Sequence, residues 1–470
     1  MDRRSFITNL TLTSGGLALA CSGLGRRAEA AAVNGNLAAL RSPGFGDLVP
    51  KAAKNTGETF LALPDGFEYN VFGKVKSVMT DGRPTPSLHD GMWTFKVGRE
   101  LRIVRNHEVI GGKVPNANFG IGHGNHYDDT AGGGTTTLVI DQKKRELVRD
   151  FVSLSGTLIN CSGGPTPWGS WVSCEETTLG PSIRTDSKGV KTGGFKKPHG
   201  YCFEVPAASN TVVQPVPLKA MGRFVHETIS VDRKSGIVYL TEDVSACGFY
   251  RFVPNRQKRL AEGGTLQMLA IKGQPGYDTR TGQKQGTTFN AEWITIDEPD
   301  PPSADLDQSA VYKQGKAKGA ATFARLEGSC ADNKGNIYFD STSGGDKKGG
   351  QIWQYSPTSK TEGRLTLVFE SPDREILDMP DNMTLRPKSR QLFICEDSDY
   401  VGTGGSAENF VRILTPAGQI ADFAKNISIQ PRAEFAGSTF SPDGKIFFVN
   451  IQSLGVTFAI WGDWGRWNNA

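Results

Sequence analysis

Residues 235–243 are Ser-Gly-Ile-Val-Tyr-Leu-Thr-Glu-Asp, and this stretch contains the pattern that decides the fold. A turn precedes β-branched and aromatic residues, which favour a strand, and the strand ends in acidic residues. The unit recurs along the chain with variations. Its six copies are residues 98–108, 168–176, 235–243, 334–340, 389–397 and 443–450.

A unit that returns at intervals of tens of residues is typical of a radial repeat. Six blades of about four strands need roughly 300–400 residues, which fits a chain of 470 residues with 57 Gly and 25 Pro. We therefore predict an all-β fold, a six-bladed β-propeller with loop insertions. Residues 30–60 are expected to form an N-terminal arm that completes a blade. Residues 255–320 are expected to be a loop insertion region, and whether they form a lid stays open.

The N-terminus predicts an export signal. Arg3-Arg4 precede a weakly apolar, Gly-interrupted run from Leu10 to Leu24 and then Ala28-Glu29-Ala30. Together these features are typical of a twin-arginine signal peptide over residues 1–30, followed by a single propeller domain over residues 31–470. We expect the twin-arginine export machinery as a partner and a periplasmic or secreted location. The apolar run is too short for a membrane span, and lipidation of Cys21 stays open.

The charge pattern excludes some partners. The chain has 53 basic and 49 acidic residues, a net charge of +4, without a basic stripe interleaved with aromatic residues. We therefore expect no nucleic-acid partner and no stable membrane insertion, and a small molecule as the ligand.

The acidic strand ends are the main indication of function. Equivalent strands of a propeller run in the same direction about the axis, so their polar ends converge at one mouth of the central channel. One acidic pair at a strand end is ordinarily a solvated turn, but repetition at equivalent positions favours a site that holds cations. The converging acids are Glu108, Glu175, Glu176, Glu242, Asp243, Asp340, Glu396 and Asp397.

A second set of short polar motifs lies upstream of these strands. We expect it to form a ring nearer the axis. Arg325 and Glu327, two residues apart, would point to the same face as an anion binder beside a metal ligand. The motifs are 89–91, 160–164, 226–227, 325–328 and 380–382.

The donor types indicate which metals to expect. Abundant carboxylates favour Ca²⁺, and a thiolate such as Cys161, flanked by glycines, shifts one position toward a transition metal. The six histidines form no HExxH or HxH pattern, which argues against a common zinc hydrolase. The sequence contains no G-x-S-x-G elbow, so it gives no indication of a serine nucleophile.

These motifs carry a resemblance. From about Gly44 to the C-terminus the sequence resembles the PhoX-type alkaline phosphatases, a family of twin-arginine-exported bacterial phosphatases. The matching segments are residues 89–92, 105–108, 133–138, 160–169, 174–176, 226–227, 241–243, 325–328, 380–383, 395–397, 437–444 and 449–452.

The resemblance implies a six-bladed propeller with a mixed Fe³⁺ and Ca²⁺ centre that hydrolyses phosphomonoesters. By motif, the iron ligands would be Cys161, Glu227 and Glu327. Calcium would be held by Glu176 and by the pair Glu396-Asp397, and Arg325 would clamp the phosphate as the catalytic residue. Well-known members of the family are longer, which leaves substrate range and a lid in question.

Two alternatives stay open at this point. One is a calcium-dependent propeller hydrolase of lactones or phosphotriesters, which would need neither a Cys161 ligand nor Arg325. The other is a non-catalytic secreted binding propeller with structural calcium. The physiological ester, the metal stoichiometry and the oligomeric state are not determined by the sequence.

Overall fold

The structure is a computed structural model that describes residues 37–110, 125–185, 188–401 and 408–467. The predicted signal peptide lies outside these residues. No helix in the described part of the chain is long and apolar enough to cross a membrane.

The described chain is almost entirely β-structure. Helical segments are α1 (Ala310–Ala317) and short 3₁₀ turns at Leu37–Leu40, Lys219–Met221, Leu260–Glu262, Pro302–Asp305 and Trp464–Trp467. The strands are β1 (Leu48–Ala52), β2 (Thr59–Pro64), β3 (Phe67–Phe72), β4 (His89–Val97), β5 (Glu100–His107), β6 (Gly133–Asp141), β7 (Glu146–Thr157), β8 (Asn160–Pro165), β9 (Ser170–Glu175), β10 (Ile183–Thr185), β11 (Lys191–Gly193), β12 (Cys202–Pro206), β13 (His226–Val231), β14 (Val238–Glu242), β15 (Tyr250–Pro254), β16 (Gly264–Ile271), β17 (Thr288–Thr295), β18 (Ser329–Ala331), β19 (Ile337–Ser341), β20 (Gln351–Pro357), β21 (Glu362–Glu370), β22 (Pro380–Leu385), β23 (Leu392–Glu396), β24 (Phe410–Leu414), β25 (Ile420–Asn426), β26 (Phe435–Phe440), β27 (Ile446–Ile451) and β28 (Val456–Gly462).

Six strands form a ring at the centre. The strands β4, β8, β13, β18, β22 and β26 contact one another in that order, and β26 contacts β4 to close the ring. Each begins at one of the short polar motifs or at residue 435, and the next strand along the chain pairs with it antiparallel. The predicted class, an all-β propeller, is confirmed.

The hydrogen-bonded sheets do not separate into six four-stranded units, which corrects the predicted set of six separate blades. Two sheets are four-stranded, β4-β5-β6-β7 and β26-β27-β28-β3, and one is three-stranded, β12-β9-β8. A nine-stranded sheet arises because β17 pairs with both β16 and β21, which joins two neighbouring units at their outer edges. The remaining sheets are the six-stranded β1-β2-β25-β24-β23-β22 and the hairpin β10-β11.

The two segments predicted to lie outside the repeat contribute strands. Within the predicted arm, β1 and the start of β2 extend the sheet of β25, and β3, which lies beyond the arm, pairs with β28 and completes that four-stranded sheet. Residues 255–320 contain β16, β17 and α1 rather than loops alone. Alternating apolar residues such as Leu266 and Met268 let β16 bury one face, which a loop prediction based on Gly and Pro overlooked.

Aromatic side chains fill the space between neighbouring sheets. Around the closure of the ring, Phe67 contacts Phe423 and Trp464 edge to face, with ring centroids 5.3 and 4.8 Å apart. Phe393 of β23 packs on Phe447 of β27 in the neighbouring sheet, with ring centroids 5.2 Å apart. These buried contacts hold the sheets around the axis and so fix the ring of inner strands that carries the polar motifs.

Candidate metal centre

A β-bulge interrupts five of the six inner strands at the same place. After the first pair of four of these strands, and after the second pair of β26, two residues on the inner strand oppose one on its partner, for example between the pairs His89–His107 and Met92–Arg105. A bulge frees its residues from the regular pairing and redirects their side chains. The bulged residues are Asp90-Gly91, Cys161-Ser162, Glu227-Thr228, Asp381-Asn382 and Gly437-Ser438.

The fourth inner strand reaches the same arrangement without a bulge in its ladder. Glu327 lies just before β18, and the amide of Gly328 donates to the carbonyl of Asp381 on the neighbouring inner strand at 2.8 Å. Glu327 thus takes the position that a bulged residue takes elsewhere in the ring.

A second layer sits at the ends of the adjacent strands. In all six units the residue that follows the second strand donates its amide N–H to a carbonyl near the start of the inner strand: two residues before the first bulged residue in four units, two before Glu327 in the fourth unit and three before Gly437 in the sixth. These bonds run from Glu108 to Leu88, Glu176 to Ile159, Asp243 to Val225, Thr342 to Arg325, Asp397 to Met379 and Gln452 to Glu434, at 2.8–3.2 Å. Four of these positions therefore place a carboxylate beside the bulged layer.

The accepting positions share an unusual backbone. Leu88, Ile159, Arg325 and Met379 have φ values of 49, 48, 46 and 44°, in the left-handed region that residues with a Cβ rarely adopt. Such a conformation costs on the order of 1 kcal/mol or more and persists where the surrounding fold imposes it. Its repetition at four equivalent positions shows that the geometry of the mouth is built by the propeller rather than by local preference.

We call the side chains gathered here the mouth cluster. It comprises Asp90, Glu108, Cys161, Glu176, Glu227, Asp243, Glu327, Asp381, Asp397 and Glu434, which lie in the bulged layer, the strand-end layer and, for Glu434, at the start of the sixth unit. Four of the eight predicted strand-end acids, Glu108, Glu176, Asp243 and Asp397, therefore lie together with residues of the short motifs. The other four, Glu175, Glu242, Asp340 and Glu396, are not part of the mouth cluster.

Two groups in the mouth cluster have the spacing of metal ligands. Cys161, Glu176 and Glu227 form one, and Glu227, Glu327 and Asp381 form the other, with ligand atoms in each all within 4.8 Å of one another. That spacing suits an ion bound at about 2.0–2.5 Å. Glu227 belongs to both groups, so it is placed to bridge two ions. The structure thus brings together four predicted site residues, Cys161, Glu176, Glu227 and Glu327.

The thiol of Cys161 lies among acids. Its Sγ is 3.3 Å from Oε1 of Glu227 and 3.7 Å from Oδ2 of Asp90. Burial, Asp90 and Glu227 raise the pKa of Cys161 well above its usual value. A bound cation reverses that effect, because a metal ion stabilises the thiolate and the carboxylates together.

The carboxyl groups are similarly perturbed. Burial, followed by Glu108 and Asp381, raises the pKa of Asp90, and burial, followed by Asp243 and Asp381, raises that of Glu327. The pKa values of Glu108 and Asp381 rise to about 7 for the same reasons, burial first and then Asp397. Burial also raises the pKa values of Glu176, Glu227 and Glu434 well above 4.5.

Unpaired buried oxygens point to cations as the missing partners. Oε2 of Glu227 and Oδ1 of Asp90 are buried without a hydrogen-bond partner. Desolvated carboxylates packed together are costly unless cations compensate them. Carboxylate oxygens with one thiol are a donor set that suits hard cations and one softer metal, so the residues fit the metals that the sequence implied.

Arg325 is the guanidinium that contacts this cluster in the described part of the chain. Its Nε and Nη2 donate to Asp243 at 2.9 and 3.1 Å, and Nη2 also donates to Glu327 at 2.7 Å, so Arg325 and Glu327 share a face as predicted. Burial disfavours the cation, but Glu327 and Asp243 outweigh it and raise the pKa of Arg325. Its side chain keeps 33% exposure, which leaves it reachable by a ligand.

The pair Glu396-Asp397 divides between two environments. Asp397 belongs to the mouth cluster and raises the pKa values of Glu108 and Asp381. Glu396 does not join the ligand groups: its Oε1 accepts from Nε of Arg412 and from the amide of Asp378, both at 3.0 Å. Successive residues of a strand face opposite ways, which explains the separation.

Sequence reasoning left several cluster members outside the expected ligand set. Asp90 and Asp381 were noticed only as parts of motifs, and Glu108 and Asp243 only as converging acids. Gln452 was missed as a donor: its Nε2 bonds Oδ2 of Asp90 at 2.9 Å and Oε2 of Glu108 at 2.7 Å. Alignment of all six units at the bulge would have found them, and Glu434 as well.

Fold and site together define a class, the β-propellers that gather potential metal ligands at one end of the central channel. Within this class, the sequence profile of the family described as alkaline phosphatase PhoX matches residues 44–455. The chain belongs to this family, and the resemblance inferred from its motifs is confirmed. It is an enzyme, an alkaline-phosphatase-like phosphoric monoester hydrolase. Membership argues against the alternative of a non-catalytic propeller.

Solved structures share the fold. PhoX of Pseudomonas fluorescens, solved in complex with vanadate as a transition state analogue, superposes with a TM-score of 0.64 at 18% identity, covering 89% of this chain and 98% of that one. A gluconolactonase from Xanthomonas campestris gives a TM-score of 0.39 at 11% identity over 90% of this chain and 99% of that one. No curated protein sequence matches the chain.

Proposed function

We propose that this phosphatase is exported and hydrolyses small phosphomonoesters at a mixed iron and calcium centre in the mouth cluster. The observation that carries the proposal is the position of Glu227, shared by two ligand groups of which one contains Cys161. A carboxylate shared by two ligand groups would let the centre hold two ions together, as two-metal phosphatases do.

The proposed ligands divide by donor type. Cys161 and Glu227 from one ligand group, with Glu327 from the other, would hold Fe³⁺, because the thiolate favours a transition metal. Glu176 and Asp397 would hold Ca²⁺ through oxygen donors alone, with Asp90 and Asp381 beside them. We leave Glu396 out of the ligand set because Arg412 and the amide of Asp378 occupy its Oε1.

Arg325 is the proposed phosphate clamp. When bound, the cations would supply charge neutralisation at the phosphoryl oxygens, as in other metal-dependent phosphatases. The guanidinium adds two-pronged N–H donors at the exposed side of the cluster. Asp243 and Glu327 hold it in place from one side, so its orientation is set before a substrate arrives.

We also propose that the molecule has six blades, although its sheets merge. The ring of inner strands supports this, as do the equivalent amide bonds of the strand-end layer in every unit. The merged nine-stranded sheet then counts as two blades joined through β17.

Export is the remaining part of the proposal. Arg3-Arg4 and the following apolar run support a twin-arginine signal and a periplasmic or secreted location. Twin-arginine export moves folded proteins, which suits a chain that must acquire several metals before it leaves the cytoplasm.

A combined metal and activity measurement tests this function. Protein purified from its native export route would be analysed for iron and calcium and assayed on a chromogenic phosphomonoester, a phosphotriester and a lactone, before and after chelation. We expect both metals, hydrolysis of the monoester, and loss of activity on chelation. Calcium alone, with faster turnover of the lactone or the triester, would support the alternative calcium-dependent hydrolase.

Cys161→Ser separates the two proposed metals. Because the substitution removes the thiolate and leaves the carboxylates, the variant should lose iron, keep calcium and remain folded. Cys330→Ser, at a buried cysteine outside the mouth cluster, is the matched control and should keep both metals. Calcium as the sole metal of the wild type, together with ready alkylation of native Cys161, would refute the iron assignment.

A further inference from the structure

A pair of cysteines lies beside the metal centre without a role in it. Cys174 on β9 and Cys202 on β12 are both fully buried, and their Sγ atoms are 3.6 Å apart. Among the described residues no other two cysteine sulfurs are in contact. The other free cysteines are Cys161, Cys247, Cys330 and Cys395.

The strand register places the two residues directly opposite each other. Cys202 pairs with Cys174, and the neighbouring pair Tyr201 and Glu175 is hydrogen-bonded, with the amide of Glu175 donating to Tyr201 at 3.1 Å. Because the two kinds of pair alternate along an antiparallel ladder, Cys174 and Cys202 form a non-hydrogen-bonded pair, with Cα atoms about 4.5 Å apart. Disulfides span Cα separations of about 4.4–6.8 Å, so small side-chain rotations suffice to join the two sulfurs.

The position of β12 gives a route to the buried thiols. The sheet β12-β9-β8 has three strands, and β12 is its outer edge. On its other side β12 meets a single short segment, where the amide of Leu218 donates to the carbonyl of Cys202 at 2.9 Å and Pro217 bridges Phe203. The Sγ of Cys202 also lies 3.6 Å from Nδ1 of His226. Local opening of an edge strand costs less than global unfolding, so β12 can expose Cys202 while the ring of inner strands stays closed.

We propose that Cys174 and Cys202 form a disulfide when the folded protein meets an oxidising compartment. The oxidant is a small-molecule disulfide such as oxidised glutathione. One cysteine sulfur attacks the glutathione disulfide and releases one glutathione thiol. The second cysteine sulfur displaces the other glutathione from the mixed disulfide. The protein thiols lose two electrons and two protons, and one oxidised glutathione becomes two reduced glutathiones.

The bond would fasten the outer strand to the strand that leads into the metal centre. Cys174 lies two residues before Glu176, and it is separated from Cys202 by 28 positions in the sequence. A disulfide that closes such a loop restricts the unfolded chain and raises the unfolding temperature. The inference does not depend on the proposed catalytic function.

Peptide mapping tests the proposal on the full-length metal-loaded protein. Samples would be equilibrated in oxidised or reduced glutathione, alkylated after denaturation, and digested with chymotrypsin, which cuts after Trp168 and Trp171 and so separates Cys161 from Cys174. We expect a linked Cys174–Cys202 peptide after oxidation and two alkylated peptides after reduction. Full alkylation of both cysteines after oxidation, or linkage of either to another cysteine, would overturn the inference.

Two serine variants extend the test. Cys174→Ser and Cys202→Ser should each lose the linked peptide, and Cys330→Ser, as a matched control, should retain it. Oxidation should raise the unfolding temperature of the wild type and of Cys330→Ser by a few degrees and leave the two pair variants unchanged. An equal rise in all four proteins would show that the effect comes from elsewhere. Peptide mapping of the wild type decides the matter even if a variant fails to fold.

Discussion

Three pairs of acids at strand ends show two environments side by side. The first member of each pair accepts hydrogen bonds from its own blade. Glu175 accepts from the amides of Gly200 and Tyr201 and contacts His199. Glu242 accepts from the Gly248 amide and the Tyr250 hydroxyl, and Glu396 accepts from Arg412. The second members, Glu176, Asp243 and Asp397, belong to the mouth cluster. One step along the chain therefore separates a carboxylate with protein donors from one that faces other acids.

The difference teaches that position in the propeller, and not residue type, assigns the role of each acid. The first members tie the strand end to its own blade and hold the second members over the channel. Burial still raises the pKa values of Glu242 and Glu396 to about 7, so even the partnered carboxylates are stabilised incompletely by the protein. In the mouth cluster most neighbours are acids, and cations are needed to complete it.

The largest expected effect concerns Glu227, a carboxylate of the mouth cluster that faces other acids. Glu227→Gln removes the shared carboxylate of both ligand groups, so metal content and activity should fall together. The loss of charge stabilisation at two ions should lower kcat by on the order of 10³-fold. Metal analysis and phosphomonoester turnover measure the two losses. Full activity with unchanged metal content would remove Glu227 from the centre.

Much of the fold could be predicted from the repeated unit alone. The strand copies, their common direction and the convergence of their ends all follow from residue pattern. The merging of sheets could not be predicted, because it depends on whether outer strands such as β17 and β21 meet across units. Loop length and Gly content suggested an insertion there, and only tertiary pairing shows strands.

The sequence predicted the chemistry of the site and some of the residues that form it. Acid repetition indicated cations, and the glycines near Cys161 marked it as a candidate ligand, which the structure places in a β-bulge. The pair Glu396-Asp397 was predicted as one unit, and the structure gives Oε1 of Glu396 protein donors while Asp397 lies among the acids of the mouth cluster. Glu434 and Gln452 were missed because the sixth unit lacks the acidic ending that defined the other copies.

The second prediction concerns Arg325, the guanidinium that contacts the mouth cluster. Arg325→Lys should lower kcat by on the order of 100-fold, since an ammonium cannot reproduce the planar two-pronged contact. Metal content should remain unchanged, because arginine is not a ligand. If Arg325 only neutralises Asp243 and Glu327, the variant should instead alter metal occupancy or stability and keep kcat per bound iron. Measuring kcat per iron in both proteins decides between these roles.

The third prediction concerns the metal-free protein. Glu108, with an ordinary pKa of 4.5, and Asp381, with one of 3.8, titrate near 7 in the fold, so the folded state binds protons that the unfolded state has released. The contribution of these two groups to stability should be full below about pH 4 and should fall as pH rises to 7, by about 3 kcal/mol for a group such as Glu108. Urea unfolding of chelated protein at pH 5 and pH 8 measures the difference.

Repeating the urea unfolding with calcium restored compares the carboxylates of the mouth cluster with those that accept hydrogen bonds from the blades. Bound cations replace the protons of the mouth cluster, so most of the pH dependence should disappear when metal is restored. The part that remains should come from Glu242 and Glu396, whose pKa values are also about 7 and which are not proposed ligands. A pH dependence of equal size with and without metal would mean that cations do not compensate the cluster.

The smallest expected effect is at Glu396, one of the carboxylates that accept hydrogen bonds from their own blade. Glu396→Gln keeps an oxygen that can accept from Arg412 and Asp378, and Arg412 retains Asp422 as a second carboxylate partner. Metal content and kcat should therefore be unchanged, and the free energy of unfolding should fall by only about 1 kcal/mol. Asp397→Asn, one residue further, is the matched variant and should lose both metal and activity. Loss of metal in Glu396→Gln would show that both members of the pair serve the centre, because the alternation of strand faces would then not separate ligand from support.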